Sequence, residues 1–109
     1  MVEGEEVSPT ARTLKWLRDQ GHPAAVVERW NPHARIRQDL FGIIDVLALR
    51  DTETLAVQTT SAGNVAARIR KIADSDHIAA IRDAGWTVRV HGWAKKSGRW
   101  TLTRDEDLS

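Results

Sequence analysis

The first stretch of apolar residues has the spacing of an amphipathic helix. The stretch includes Leu14, and residues typical of helix ends lie on either side of it. Ser8 is a capping residue, Pro9 suits the first helical position, and Gly21 suits the position just past a helix end. The pattern predicts a helix from about Pro9 to Gln20.

Extended segments follow the first helix. A short β-branched run predicts a strand over Ala24–Trp30, and polar, Pro-containing sequence predicts a loop over Asn31–Arg37. The nearly continuous apolar run Ile43–Leu49 is typical of a strand covered on both faces. A further strand is predicted over Thr54–Thr59, joined to the previous one by the hairpin loop Arg50–Glu53.

The second half of the chain returns to helical spacing before it ends in strands. Ser61 can cap a helix over Ala62–Ala73, and a short helix is predicted over His77–Ala84. Strands are predicted over Trp86–His91 and Trp100–Thr103. The predicted order is α, β, β, β, α, a short α, β, β, which indicates an α/β fold with a mixed central sheet flanked by helices.

Length and composition favour one domain spanning residues 1–109, with acidic, flexible ends at about 1–7 and 104–109. The chain has no cysteine, no apolar run near the ~18 residues that cross a bilayer, and an acidic start unlike a secretory signal. We therefore expect a soluble cytoplasmic protein without a membrane partner. Residues 12–104 contain all 16 Lys and Arg and nine Asp and Glu, and this basic excess suits a polyanionic partner.

Two polar residues stand in the apolar strands, where burial disfavours them. If Leu49 pairs with Thr54, then Asp45 lies opposite Gln58 on the same face. A buried carboxylate needs a partner or a cation. Asp45 and the Gln58 amide oxygen could bind magnesium; alternatively, Asp45 forms a structural hydrogen bond with Gln58 or pairs with an arginine.

The segment Gly42-Ile-Ile-Asp45, at the head of the second predicted strand of an αβββαβ core, resembles the PD-(D/E)XK nuclease superfamily. Within it, the form and the small size are most similar to archaeal-type Holliday junction resolvases and small phage nucleases. The resemblance covers roughly Pro9 to His91. It implies a restriction-endonuclease-like fold, Mg²⁺- or Mn²⁺-dependent hydrolysis of DNA phosphodiesters, a role in DNA recombination, and a homodimer.

The resemblance also assigns metal ligands. Asp45 takes the place of the metal-binding aspartate, and Gln58 takes the place of the acidic residue of the third strand. Glu28 matches an additional metal-binding acid ahead of the second strand, and Asp39 competes with it for that role.

Thr60 stands where the family has its motif lysine. Some members of the superfamily carry that lysine on the following helix, where this chain has Lys71 and, one turn earlier, Arg68. The resemblance therefore implies catalysis by Asp45 and Gln58 together with Lys71 or Arg68. The alternative is a catalytically degenerate module that binds DNA or a protein partner without cleaving it.

DNA contacts are expected on the loop Asn31–Arg37, on the helix after Thr60 and near Trp93. Most of the five tryptophans are expected in the core, and Trp93 is the exception because cations follow it near a turn. The candidate DNA-binding residues are His33, Arg35, Arg37, Thr60, Ser61, Asn64, Arg68, Trp93, Lys95 and Lys96.

Overall fold

A five-stranded mixed sheet forms the centre of the protein, whose computed structural model describes residues 7–109. The strand order is β1-β4-β5-β6-β7, in which only the β5–β6 pair is parallel, and β2 and β3 form a separate two-stranded sheet. The strands are β1 (Ala24–Val26), β2 (Arg29–Asn31), β3 (Ile36–Gln38), β4 (Val46–Arg50), β5 (Glu53–Ser61), β6 (Thr87–Lys96) and β7 (Arg99–Asp107). The predicted α/β class with a mixed sheet is confirmed.

Within residues 7–109, three helices flank the sheet: α1 (Pro9–Asp19), α2 (Val65–Ala73) and α3 (Ile78–Asp83). The first helix begins as predicted, because Ser8 Oγ accepts a hydrogen bond from the Ala11 N–H at 3.1 Å. Within the described part of the chain, none of these helices combines the length and the apolar character that crossing a membrane requires.

The two faces of the sheet are covered by different helices. Leu17 of α1 packs with alternate residues of β4 and β5, including Val57. On the opposite face, Ile72 of α2 and Ile81 of α3 belong to one core cluster with Ala56 and with residues of β6. Because side chains alternate along a strand, Gln58 points to the α2 face, as Ala56 does.

The predicted hairpin register is confirmed, since Leu49 pairs with Thr54 in the β4–β5 ladder. The strand predicted over Ala24–Trp30 is wrong as a single element. It divides into β1 and β2, which belong to different sheets, and Glu28 lies at the break. The predicted loop Asn31–Arg37 is mostly the β2–β3 hairpin, whose turn is closed by Asn31 Oδ1 accepting the His33 N–H at 3.0 Å.

The second half of the chain differs from the prediction at the start of its first helix and in the lengths of its strands. The helix expected from Ala62 begins with a 3₁₀ turn over Ala62–Asn64, and Ser61 Oγ accepts from the Asn64 side chain rather than capping the helix backbone. The last two strands, β6 and β7, are longer than expected. The flexible end predicted at 104–109 is wrong, because β7 continues through Asp107; most of the other end, residues 1–6, lies outside the described residues.

Gly92 lets a helix approach the sheet closely. A Cβ at this position would lie 2.4 Å from Val65 Cγ2 and 3.1 Å from Ala62 Cα, which is too close for any other residue without a shift. The β6–β7 register also changes between Gly92 and Trp93. The N-terminal end of α2 therefore rests directly on β6.

The expected burial of the tryptophans is partly wrong. Trp93 is 6% exposed, and its indole N–H donates to Thr13 Oγ1 at 2.9 Å, so it is a core residue on the α1 face. By contrast, Trp30 and Trp100 are 55% and 45% exposed.

Candidate active site

Three carboxylates meet where the sheet gives way to its connecting loops. Glu28 lies between β1 and β2, Asp39 follows β3, and Asp45 immediately precedes β4. One carboxylate oxygen from each lies within 4.8 Å of the others. Asp45 is 5% exposed, and the side chains of Glu28 and Asp39 are each 16% exposed. We call these three residues the acid cluster.

The backbone explains why two of these acids face each other. Leu40 and Ile44 form an antiparallel bridge, with the Leu40 N–H donating to the Ile44 carbonyl at 2.9 Å. Gly42, with φ of +77°, allows the tight turn between them. Asp39 and Asp45 are the next residues outward on either side of this bridge, so the turn brings them together.

The sheet fixes the position of Asp45. Its N–H donates to the Val57 carbonyl at 2.9 Å, and its carbonyl accepts from the Val27 N–H at 2.8 Å. These bonds continue the β1–β4 and β4–β5 pairing by one residue. The side chain of Asp45 therefore has the register with Gln58 that the sequence predicts.

One oxygen of Asp45 is held by three donors. Asp45 Oδ2 accepts from Gln58 Nε2 at 2.6 Å, from the Thr59 N–H at 2.8 Å and from Thr59 Oγ1 at 3.1 Å. Thr59 Oγ1 also lies 2.7 Å from Thr10 Oγ1. Because the Thr59 hydroxyl proton is used on Asp45, Thr10 must be the donor of that bond, which ties the first turn of α1 to the acid cluster.

Burial raises the pKa of Asp45 to about 7, and its hydrogen bond and charge repulsion with Asp39 act in the same direction. Hydrogen bonds from Thr59 and Gln58 lower the pKa only in part. Two carboxylates this close to each other cannot both ionise cheaply without a nearby positive charge. The acid cluster is therefore a place where a proton or a cation is favoured at neutral pH.

The donor set fits a divalent metal ion. Mg²⁺ and Mn²⁺ favour carboxylate oxygens, and ligand oxygens at 2.0–2.1 Å from Mg²⁺ lie no more than about 4.2 Å apart. The 4.8 Å limit on the oxygens of Glu28, Asp39 and Asp45 needs only a small contraction to meet that value.

The side chain of Gln58 is oriented to hydrogen-bond with the carboxylates rather than to bind a metal ion. Its Nε2 faces Asp45 and, at 3.3 Å, Asp39 Oδ2, while its Oε1 faces Lys71 Nζ at 3.5 Å. A half-turn of the amide would be needed to direct Oε1 at an ion beside the carboxylates. Within residues 7–109, no arginine forms an ion pair with Asp45.

Both cations predicted on the following helix lie near the acid cluster. Lys71 Nζ is 3.6 Å from Asp39 Oδ2. Arg68, one turn earlier on α2, lines the same pocket as Asp45. Thr60, at the position where the resemblance leads us to expect a lysine, is 4% exposed and also lines this pocket. The structure thus places Lys71 nearest to the carboxylates.

The remaining predicted DNA-binding residues are spread over three places. Ser61 and Asn64 line the acid-cluster pocket, and Arg37 Nη1 lies 3.8 Å from Glu28 Oε1. His33 and Arg35 are exposed in the turn of the β2–β3 hairpin. The exposed residues Lys95 and Lys96 end β6, whereas Trp93 is buried as described above.

Sequence reasoning missed Thr59, Thr10, Arg12 and Trp100. Thr59 adjoins Gln58 in a buried strand, and a buried hydroxyl needs a partner, so its bond to Asp45 could have been anticipated. Thr10 could not, because its bond spans 49 positions of the sequence. Arg12 lies 4.3 Å above the indole of Trp100, and no local pattern indicates that contact.

Comparison with known proteins adds no family assignment: no protein-family model matches the chain, and no curated protein is detectably similar to it in sequence.

Proposed function

We propose that this protein is a metal-dependent DNA endonuclease that hydrolyses phosphodiester bonds. The observation that carries the proposal is the convergence of Glu28, Asp39 and Asp45 in one pocket with Lys71 against Asp39. The resemblance of the segment Gly42-Ile-Ile-Asp45 to the PD-(D/E)XK superfamily supports the proposal and implies a restriction-endonuclease-like core. We include in the proposal a Holliday junction resolvase-like activity in DNA recombination and a homodimeric state.

Glu28, Asp39 and Asp45 would hold Mg²⁺ or Mn²⁺. When bound, such an ion polarises a phosphodiester and lowers the pKa of a bound water. The work of the chain is to position the three carboxylates. Thr59 and Gln58 orient Asp45 through the three hydrogen bonds to its Oδ2, leaving Oδ1 as the oxygen free of these donors.

Lys71 takes the part that the missing motif lysine has in the resembling family. Its ammonium reaches the acid cluster from α2, and in that position it offsets negative charge that develops on a phosphate in the transition state. Arg68 lines the pocket from the same helix and can contact a neighbouring phosphate. Thr60 has no charge to contribute.

A basic groove next to the acid cluster suits a DNA backbone. Arg29, Arg37, Lys71 and His77 line this groove, and Asp39 is the residue it shares with the acid-cluster pocket. Cations concentrated along one path attract phosphates and fix the position of a strand. A strand lying in the groove would bring a phosphodiester to the acid cluster.

One observation favours the alternative of a DNA-binding or protein-binding module without cleavage. Asp45 Oδ2 is already satisfied by three donors from Gln58 and Thr59, and Lys71 partly neutralises Asp39, so the acids have partners without a metal. The two hypotheses differ in whether the protein cleaves DNA when a divalent metal ion is present.

A nicking assay distinguishes them. Junction, flap, single-stranded and duplex DNA are incubated with the protein and Mg²⁺ or Mn²⁺. We expect cleavage that falls about 100-fold or more in Asp45→Asn, because a lost metal ligand removes several kcal/mol of transition-state stabilisation. Asp76→Asn, an exposed carboxylate between α2 and α3, is the matched control and should retain activity. Cleavage that Asp45→Asn leaves unchanged would rule out the assigned site.

A further inference from the structure

A second groove, of about 640 Å³, lies on the α1 side of the sheet and is distinct from the basic groove described above. Its lining includes Arg12 of α1, Lys95 of β6 and Trp100 of β7. We call it the Trp100 groove. The sequence pattern predicted DNA contacts for Ser61, Trp93 and Lys95 in this lining, but it assigned no role to Arg12 or Trp100.

Trp100 presents an exposed aromatic surface surrounded by cations. Its side chain is 45% exposed, the Arg12 guanidinium lies 4.3 Å from the ring centroid, and Lys95 Nζ lies 5.8 Å from it. Lys96 and Arg99 extend the basic surface along the same hairpin, because Lys96 pairs with Arg99.

Arg12 and Lys95 are not neutralised by acidic neighbours within the part of the chain that the structure describes. Neither forms an ion pair with a carboxylate of residues 7–109. Both side chains contact the π-face of Trp100, which is a weak interaction at an exposed site. Two cations that have no carboxylate partner within residues 7–109, beside an accessible indole, favour a ligand with both negative charge and a flat ring.

The Trp100 groove is continuous with the acid cluster. Pro9 and Ser61 line both the groove and the pocket that contains Asp45. The acid-cluster pocket therefore adjoins both grooves, since it shares Pro9 and Ser61 with the Trp100 groove and Asp39 with the basic groove. Of the two grooves, the Trp100 groove is the one lined by an exposed indole, because Trp30, although 55% exposed, is not among the residues that line the basic groove.

We propose that the Trp100 groove binds an unpaired DNA base, which stacks on Trp100 while Arg12 and Lys95 contact the adjoining phosphates. A base can expose its face to an indole only when it is free of its duplex stack. The substrate class is therefore single-stranded or branched DNA with unpaired nucleotides next to the cleavage point. This inference rests on the proposed function and specifies its substrate.

The test measures binding in the presence of a chelator, where no metal-dependent cleavage occurs. Fluorescence anisotropy compares a labelled oligothymidine with a blunt duplex of equal length. We expect Trp100→Ala to weaken binding of the single strand roughly tenfold or more, the range that base stacking on an aromatic side chain provides. Duplex binding should change by less than about threefold, and Trp100→Phe should recover most of the single-strand affinity because it retains a stacking surface.

Trp30→Ala is the matched control, because Trp30 is also exposed, at 55%, but lies on the β2–β3 hairpin. It should bind oligothymidine as the unmodified protein does. Equal effects of Trp30→Ala and Trp100→Ala, or equal losses on single strand and duplex, would overturn the proposal.

A second measurement needs no variant. Oligothymidine containing 5-iododeoxyuridine is irradiated with the unmodified protein, and the crosslinked residue is identified by mass spectrometry. Crosslinking at Trp100 supports the proposal, and crosslinking confined to other residues overturns it. If single strands bind through Trp100 but are not cleaved in Mg²⁺, the endonuclease proposal is refuted and this subsite is retained. If DNA is cleaved and neither binding nor cleavage depends on Trp100, the subsite is refuted and the endonuclease proposal is retained.

Discussion

Lys71 Nζ lies 3.6 Å from Asp39 Oδ2, although the two residues come from a helix and a loop separated by two strands of the main sheet. The ion pair brings the Lys71 ammonium to the acid cluster from α2. The resembling family usually carries its lysine on the strand that corresponds to β5. Lys71 is 43% exposed in this pair, so its ammonium is also accessible from solvent.

Replacing this lysine should impair chemistry more than binding. We expect Lys71→Met to lower the single-turnover cleavage rate about 100- to 1000-fold, the usual loss when one transition-state donor is removed. Affinity for DNA, measured in a chelator, should fall only slightly. Arg70→Met is the control, because Arg70 is an exposed cation on the same helix that lines no part of the acid-cluster pocket. If Arg68→Met abolishes cleavage while Lys71→Met does not, the roles of the two residues are exchanged.

The pKa of Asp45 predicts how the metal-free protein responds to pH. The folded protein holds the Asp45 proton up to about pH 7, whereas an unfolded chain releases it near pH 3.8. Between these values the folded state binds more protons, so the free energy of unfolding falls as pH rises, by about 1.4 kcal/mol per pH unit from this group. Above about pH 7 its contribution is constant.

Urea denaturation in a chelator at pH 4.5 and pH 8 measures this effect. Asp45→Asn should be more stable than the unmodified protein at pH 8, because it removes a buried charge without changing side-chain size. The difference between the two proteins should be much smaller at pH 4.5. A variant that is less stable at both pH values would show that the Asp45 hydrogen bonds outweigh the cost of its charge.

A divalent ion should stabilise the fold through the same residues. At ten times its dissociation constant, Mn²⁺ should add about 1.4 kcal/mol to the free energy of unfolding, a rise in Tm of roughly 5–10 °C for a domain of this size. The rise should be absent in the double variant Asp39→Asn, Asp45→Asn. Differential scanning calorimetry with and without Mn²⁺ measures it, and an equal rise in the double variant would place the ion elsewhere.

Asp105 should stabilise the junction of β6 and β7. Burial acts to raise its pKa, but hydrogen bonds from His91 and Arg89 outweigh this and hold the pKa at about 2. Arg89 Nε lies 2.6 Å from Asp105 Oδ1, and the buried His91 Nε2 lies 3.4 Å from it. A lowered pKa means that the stabilisation is complete above the unfolded value near 3.8 and disappears as pH falls through about 2.

We therefore expect Asp105→Asn to lower the free energy of unfolding by about 1–2 kcal/mol at pH 7, a range reduced for the partial exposure of the side chain. The difference from the unmodified protein should narrow below pH 4. Glu106→Gln, the adjacent acid in an exposed pair with Arg104, should change stability by less than about 0.5 kcal/mol. Equal effects of the two variants in urea denaturation would contradict a specific role for Asp105.

The facing pair Asp45 and Gln58 could be predicted because a hairpin register follows from local sequence. The loop Arg50–Glu53 is short, and the pairing of Leu49 with Thr54 determines every pair beyond it. The break at Glu28 could not be predicted, because no glycine or proline interrupts Ala24–Trp30 and the charged pair Glu28-Arg29 is followed by another strand-forming residue, Trp30. The chain leaves the sheet after Val27, whose N–H bonds to the Asp45 carbonyl, and that partner is distant in sequence.

The burial of Trp93 and the exposure of Trp100, which reverse the expectation from the sequence, have a similar cause. The β6–β7 pairing shifts between Gly92 and Trp93, and only the final sheet determines which tryptophan lies over the core. The acidic end was predicted to be flexible because it is a charged chain terminus. In the structure it pairs with β6, and Arg89 of that strand, 16 positions from Asp105 in the sequence, forms an ion pair with Asp105.

Gly92 connects the two halves of the proposed site. It has no side chain where the start of α2 rests on β6, so Val65, on the helix that carries Arg68 and Lys71, packs directly against the backbone of the sheet. A larger residue there would force the Val65 side chain or the start of that helix to move, whereas the three acids belong to other elements. We therefore expect a substitution at position 92, outside the acid cluster, to change how closely Lys71 approaches Asp39.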